Sequence, residues 1–219
     1  LSLSAGKSTV LKGGALKLSS GKGTATSSGS VLITTAVGGT TGVSGLLALS
    51  SGATSKGTTG ELLIGSGTAT GGTGGAVTIS VGSGTSGAGG FASVFAGRSK
   101  LLTGGALVLT SGEGTATSSG SVVIRSANGG TAGASGMLVF SSGTSKSGNS
   151  GALVLGTGDA AAGRSGKISL TGGTASALGG DVFVSAGAST ATTGGSVVVF
   201  GGEGVASTSG AVYLRTANA

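Results

Sequence analysis

Apolar residues recur in this chain in pairs spaced two apart, and each pair follows a glycine by two positions. The glycines are Gly14, Gly29, Gly45, Gly60, Gly75, Gly90, Gly105, Gly120, Gly136, Gly151, Gly166, Gly180, Gly195 and Gly210. The pairs include Leu16 and Leu18, Val31 and Ile33, Leu107 and Leu109, Val122 and Ile124, and Leu153 and Leu155. Spacing of two places both members on one side of an extended backbone. A short fixed period with one apolar pair per unit predicts stacked coils, because no unit can bury its own face alone.

Each unit reads as a strong strand, a glycine corner, a weaker polar limb and a second corner. In residues 15–29, Leu16 and Leu18 form the strong strand, and Gly21 and Gly29 mark the corners. The first corner recurs as Gly52, Gly67, Gly82, Gly97, Gly112, Gly143, Gly158, Gly173, Gly187 and Gly202, and becomes Ala36, Ala127 and Ala217 in three units. Glycine is expected at corners because positive φ carries no steric penalty there. The second limb is expected to turn Ala25, Ser86, Ala116, Ala162, Ala191 and Ala206 inward. The expected fold is therefore all-β: a parallel β-solenoid with about 15 residues per rung, two strands and two Gly corners per rung, right-handed by the crossover rule.

A longer repeat lies over the short one. Residues 23–31, GTATSSGSV, return unchanged at 114–122, and 122–128, VVIRSAN, return as VYLRTAN at 212–218. Six rungs thus form a super-repeat: 15–105, then 106–195, with a third beginning at 196 and residues 1–14 closing an earlier copy. The whole of 1–219 is expected to be one continuous solenoid segment, a fragment of a longer chain without caps at either end.

The core stack is assigned to Leu16, Leu18, Val31, Ile33, Leu107, Leu109, Val122, Ile124, Leu153 and Leu155. A charge there, as in Leu109→Asp, is expected to disrupt the stack. The residue between the two core positions points the other way. It is apolar at Leu63, Val108, Val123, Val139, Val154, Phe183, Val198 and Tyr213. Such a strip exceeds what a soluble monomer exposes, and a lateral interface with another copy is the expectation.

Composition narrows the chemistry. Glycine supplies 52 of 219 residues, with no Pro, Cys or His. Collagen is excluded by the missing proline and the missing three-residue period. Thiolate and imidazole chemistry have no residues to carry them, and no acid–base cluster is visible, so no enzyme activity and no cofactor are expected. Gly6-Lys7-Ser8-Thr9 and Gly97-Arg98-Ser99-Lys100 look like fragments of a phosphate loop, but Leu1 stands where the first glycine of that motif belongs. The five acids, Glu61, Glu113, Asp159, Asp181 and Glu203, are too dispersed for a metal or a carboxylate pair. Thr-Ala-Thr at 24–26, 68–70, 115–117 and 190–192 is the one trace of an ice-binding pattern, and most units lack it.

Net charge is +7, from 12 basic and 5 acidic side chains. Acidic polysaccharide or mineral are the partners this favours after the chain itself. Nucleic acid is not expected, since aromatics are few and no dense basic stripe forms. No apolar run is long enough for a membrane span.

The Gly-[AS]-[VL]-x-[LI]-[ST]-[ST]-Gly units resemble those of Gly/Ser/Thr/Ala-rich short-repeat extracellular β-solenoid fibre proteins. The likeness covers the whole chain and is architectural. It implies a structural fibre protein, self-assembling into a filament by rung stacking and lateral pairing, at the cell surface or outside the cell. The alternative is a β-solenoid module that binds ice, mineral or acidic polysaccharide.

Overall fold

In the computed structural model, residues 1–216 are described. They contain no helix and no β-strand, so the expected all-β parallel β-solenoid is not the fold. The chain alternates instead between extended segments and short bends, one bend per unit. It divides into two units, Leu1–Leu107 and Val108–Ala219.

The division of each repeat is clear in the backbone. The aliphatic segments, such as 15–20 and 106–111, are extended and make no backbone hydrogen bond. The polar limbs bend at residues 24–26, 55–57, 85–87, 115–117, 146–148, 161–163, 176–178 and 205–207, among others. Ala25, Ser86, Ala116, Ala162, Ala191 and Ala206, expected to face inward from a second strand, are each at the middle of a bend and exposed. The expected two strands per rung are therefore one extended segment and one loop.

Backbone hydrogen bonds close these loops on themselves rather than joining one unit to the next. The Gly14 N–H donates to the Gly6 carbonyl at 2.8 Å, Gly29 to Gly21 at 3.0 Å, Gly105 to Gly97 at 2.8 Å and Gly120 to Gly112 at 2.9 Å. The same bond joins Gly90 to Gly82, Gly195 to Gly187 and Gly210 to Gly202, and a shorter loop is closed by Gly180 and Gly173. Among the described residues, the closed loops are the first, fifth and sixth of each group of six. The sequence offsets of 90 and 91 thus recur in the hydrogen bonding.

The second loop of each group differs for a reason visible in the sequence. It begins with Ala36 or Ala127 and runs one residue longer to Gly45 or Gly136. Here a tight turn forms inside the loop: Gly42 donates to Gly39 at 3.2 Å, and Gly133 to Gly130 at 3.3 Å. A four-residue turn takes up the extra length. Ala217, the third such alanine, lies outside the described residues, as does Asn218.

The expected reason for glycine at the corners does not hold. No glycine among the described residues has a positive φ. At the first corners nothing takes its place, since a Cβ at Gly21, Gly112 or Gly202 would meet nothing within 4 Å; close backbone approach constrains the glycine two residues further on. A Cβ at Gly114 would overlap the carbonyls of Thr117 and Ser118, and Gly23 and Gly204 meet the same obstruction one group earlier and later. Gly23, Gly114 and Gly204 are also among the few residues that are not fully exposed. Gly114→Val should therefore open the loop of residues 112–120. Amide exchange at Gly120, whose N–H is held by the Gly112 carbonyl, should accelerate to the rate of an unpaired glycine, while Gly105 should be unchanged.

The solenoid fails on energetic grounds. Ordering a backbone that is about one-quarter glycine costs more entropy than ordering ordinary chain. The return on that cost would come from burying two aliphatic side chains per 15 residues against Ala, Ser and Thr, which offer little apolar area. No residue among those described is buried.

Candidate functional site

The side chains that could act on a partner are all at the surface, and they fall into three sets. The first is apolar. Most extended segments carry three consecutive apolar side chains, with Lys17, Thr78, Ser93 and Ser169 as polar middle residues in the others, and the flanking pair is commonly less exposed than the middle one. In one segment Val31 and Ile33 are 54% and 59% exposed and Leu32 82%; in another, Leu153 and Leu155 are 57% and 65% and Val154 84%. Extended backbone sends alternate residues to opposite sides, and the pair's side meets more of the chain. The distinction fades at Val197, Val198 and Val199, which are similarly exposed.

The residues assigned to the core stack, Leu16, Leu18, Val31, Ile33, Leu107, Leu109, Val122, Ile124, Leu153 and Leu155, are all more than half exposed. Those assigned to a lateral interface, Leu63, Val108, Val123, Val139, Val154, Phe183, Val198 and Tyr213, are open to solvent as well. The sequence separated these two groups by phase alone.

The second set is the loop hydroxyls. Ser8 Oγ accepts hydrogen bonds from the Leu11 N–H at 2.9 Å and the Val10 N–H at 3.4 Å. Ser99 Oγ accepts from Leu102 N–H at 2.9 Å. Ser189 Oγ accepts from Thr192 N–H at 2.9 Å and Ala191 N–H at 3.4 Å, and lies 3.1 Å from Thr192 Oγ1. These three serines occupy one position of the sixth loop, at offsets of 91 and 90 residues. A serine oxygen that captures the amide three residues on pins a bend locally. In the sequence, Gly6-Lys7-Ser8-Thr9 and Gly97-Arg98-Ser99-Lys100 look only like fragments of a phosphate loop. The shared serine was the available signal, and the third copy, at Ser189, completes it.

The third set is charged. Two open hollows lie beside arginines that are themselves one super-repeat apart. One of about 300 Å³ is lined by Arg125, Ser126, Ala127 and Asn128. The other, of about 980 Å³, is lined by Leu170, Val182, Tyr213, Leu214, Arg215 and Thr216. In it the Arg215 guanidinium carbon stands 5.5 Å from the Tyr213 ring centroid, within cation–π range. Neither hollow contains an acid or a nucleophile paired to a base.

Glu61, Glu113, Asp159, Asp181 and Glu203 are exposed, and no group of three metal-ligating side chains forms among the described residues. Of the four Thr-Ala-Thr tripeptides, those at 24–26, 115–117 and 190–192 form bends, while 68–70 is mostly extended. No helix among the described residues is long and apolar enough to cross a membrane.

No family model matches this chain, and no curated protein or solved structure is similar to it.

Proposed function

We propose that this chain is a structural segment of an extracellular fibre and that it assembles with copies of itself through its exposed apolar triplets. What supports this most directly is area. The chain of 19.7 kDa presents 21605 Å² to solvent. A compact protein of that mass exposes about 8,600 Å², and a fully unfolded one about 28,600 Å². A surface so large, bearing Leu, Val, Ile or Phe in every unit, is far beyond the apolar patch that a soluble monomer carries.

A second copy suits this surface better than an unrelated partner does. The aliphatic segments recur at a nearly constant interval, with Lys17, Thr78, Ser93 and Ser169 interrupting the triplet in four of them, so a second copy meets matching apolar positions in most units. Shifted by one unit, it meets them again. A contact that can be satisfied at many registers is heterologous and does not close, which gives open-ended growth. The Gly, Ser, Thr and Ala background keeps the backbones free to approach between the triplets. An extracellular location rests on that same composition, shared with surface fibre proteins.

The test is a dilution series followed by light scattering and sedimentation velocity, with electron microscopy of the concentrated sample. Concentration-dependent growth into elongated particles is the expected result. A monodisperse monomer at all concentrations would refute the proposal.

A further inference from the structure

Beyond self-assembly, we propose that the two serine-pinned cationic loops, residues 6–14 and 97–105, are binding sites for the sulfate or carboxylate groups of an acidic polysaccharide. The loops are the same element of successive super-repeats, 91 residues apart. Each is closed at its neck, by Gly14 on Gly6 and by Gly105 on Gly97, both at 2.8 Å. Each is pinned inside by its serine, Ser8 or Ser99.

This double restraint decides where the charges go. In the first loop the bend at 9–11 falls between Lys7 and Lys12, so the two lysines stand on opposite limbs of one closed loop. In the second, Arg98 and Lys100 flank Ser99 directly. All four cations are exposed. Two like charges held on one short loop repel each other, and an anion between them relieves that repulsion while costing little desolvation. The surroundings are cationic as well: residues 1–60 contain five lysines and no acid, and no acid lies between Glu61 and Glu113.

The polymer is assigned by what the loops contain. Neither has an aromatic side chain on which a base could stack, which argues against single-stranded nucleic acid. Thr9 and Thr103 offer hydroxyls suited to sugar hydroxyls. Binding to a polyanion through several weak sites gains strength from their linkage in one chain.

The third copy of the loop, residues 187–195, is a built-in control. It has the same neck bond, Gly195 to Gly187 at 2.9 Å, and the same pin at Ser189, but no charged residue. The pin therefore exists without cations, and cations can be added to it without redesigning the bend.

The experiment titrates the 219-residue chain into fluorescently labelled dextran sulfate and reads anisotropy over a range of salt concentrations. Parent is compared with Lys7→Ala/Lys12→Ala/Arg98→Ala/Lys100→Ala and with a control, Lys56→Ala/Lys146→Ala/Arg164→Ala/Lys167→Ala. Each variant removes four of the seven net positive charges and leaves +3. The loop variant should bind at least about tenfold more weakly and lose about three units of salt slope, and the control should stay within about twofold of the parent. Adding Ala188→Lys and Thr193→Lys to the loop variant reproduces the Lys7 and Lys12 positions on the third loop and should recover about half of the lost affinity on a logarithmic scale. Equal weakening by the two charge-matched variants, or no recovery from the added lysines, would overturn the proposal. So would the absence of dextran sulfate binding by the parent, or tighter binding of single-stranded DNA than of dextran sulfate.

Discussion

Replacing Leu63, Val108, Val123 and Val154 with aspartate should abolish assembly at every concentration where the parent chain assembles. These are middle residues of their triplets and among the more exposed large side chains, at 84%, 76%, 74% and 84%. In the isolated chain an aspartate there remains hydrated, so monomer conformation should change little. In an assembly the same position is covered, and two costs add. Each substitution forfeits roughly 1.5–3 kcal/mol of apolar burial per contact. It also places a carboxylate where water is excluded, which costs several kcal/mol more unless a cation pairs with it. Four such sites should raise the concentration needed for assembly by well over a hundredfold, since about 1.4 kcal/mol is a factor of ten.

The charge itself needs a control, because four aspartates lower the net charge from +7 to +3. Ala25→Asp/Ser86→Asp/Ala116→Asp/Ala162→Asp makes the same electrostatic change at the centres of four bends. That variant should assemble nearly as the parent does. If both variants dissolve the particles equally, charge and not apolar contact governs association, and the triplets are not the interface. Leu109→Asp separates the two readings of the aliphatic pair in the same way. Leu109 is 71% exposed, so the substitution should leave the dilute chain unaltered and weaken only the assembly.

How much was legible in the sequence follows from the range over which each signal acts. The units, their boundaries and the alternation within Val31–Ile33 or Leu153–Leu155 are local, and the backbone follows them: one extended segment and one bend per unit. The six-unit period was legible too, because the loop-closing bonds depend on residues only seven or eight positions apart, such as Gly97 and Gly105. The extra residue after Ala36 and Ala127 changes the loop where it occurs and nowhere else. What the period could not supply was pairing between units. Ladder formation requires that burial between neighbouring coils exceed the entropy of ordering them, and alternation in one strand states nothing about that balance. The same sequence of Leu16, Lys17 and Leu18 is compatible with a covered strand and with a bare extended segment. The role of glycine was misread for a related reason. Corner glycines suggest positive φ, which none of them has; the glycines under constraint are Gly23, Gly114 and Gly204, two residues past the corners, where carbonyls three and four residues ahead leave no room for a Cβ, a distance effect that no φ preference reveals. The candidate binding loops were half visible. Lys7-Ser8 and Arg98-Ser99 stand out in the sequence by their likeness to a phosphate loop, while the pin that unites them with Ser189 is visible only in the hydrogen bonds.

The dilute chain should unfold without a cooperative transition. Its accessible surface of 21605 Å² lies within about 7,000 Å² of the fully unfolded value for its mass, whereas a compact protein of that size would expose about 20,000 Å² on unfolding. The denaturant slope scales with the surface exposed, so the monomer's response to urea should be about one-third of that of a compact protein of this size. Heat-capacity change follows the same surface and should shrink in the same proportion. The bonds that do exist support this picture. Loop closures such as Gly14 to Gly6 and Gly195 to Gly187 lie within single units, so each can open without disturbing the others. Cooperativity arises when breaking one contact exposes the next, and among the described residues no backbone bond links one unit to its neighbour. Calorimetry below the assembly concentration should therefore give a featureless trace, and circular dichroism a gradual, nearly linear change with temperature. Above that concentration a transition should appear, and its midpoint should rise with protein concentration, because the surface being exposed is then the one between copies. A sharp, concentration-independent melting endotherm from the dilute monomer would mean that the chain carries its own core, and the case for assembly through exposed triplets would fall with it.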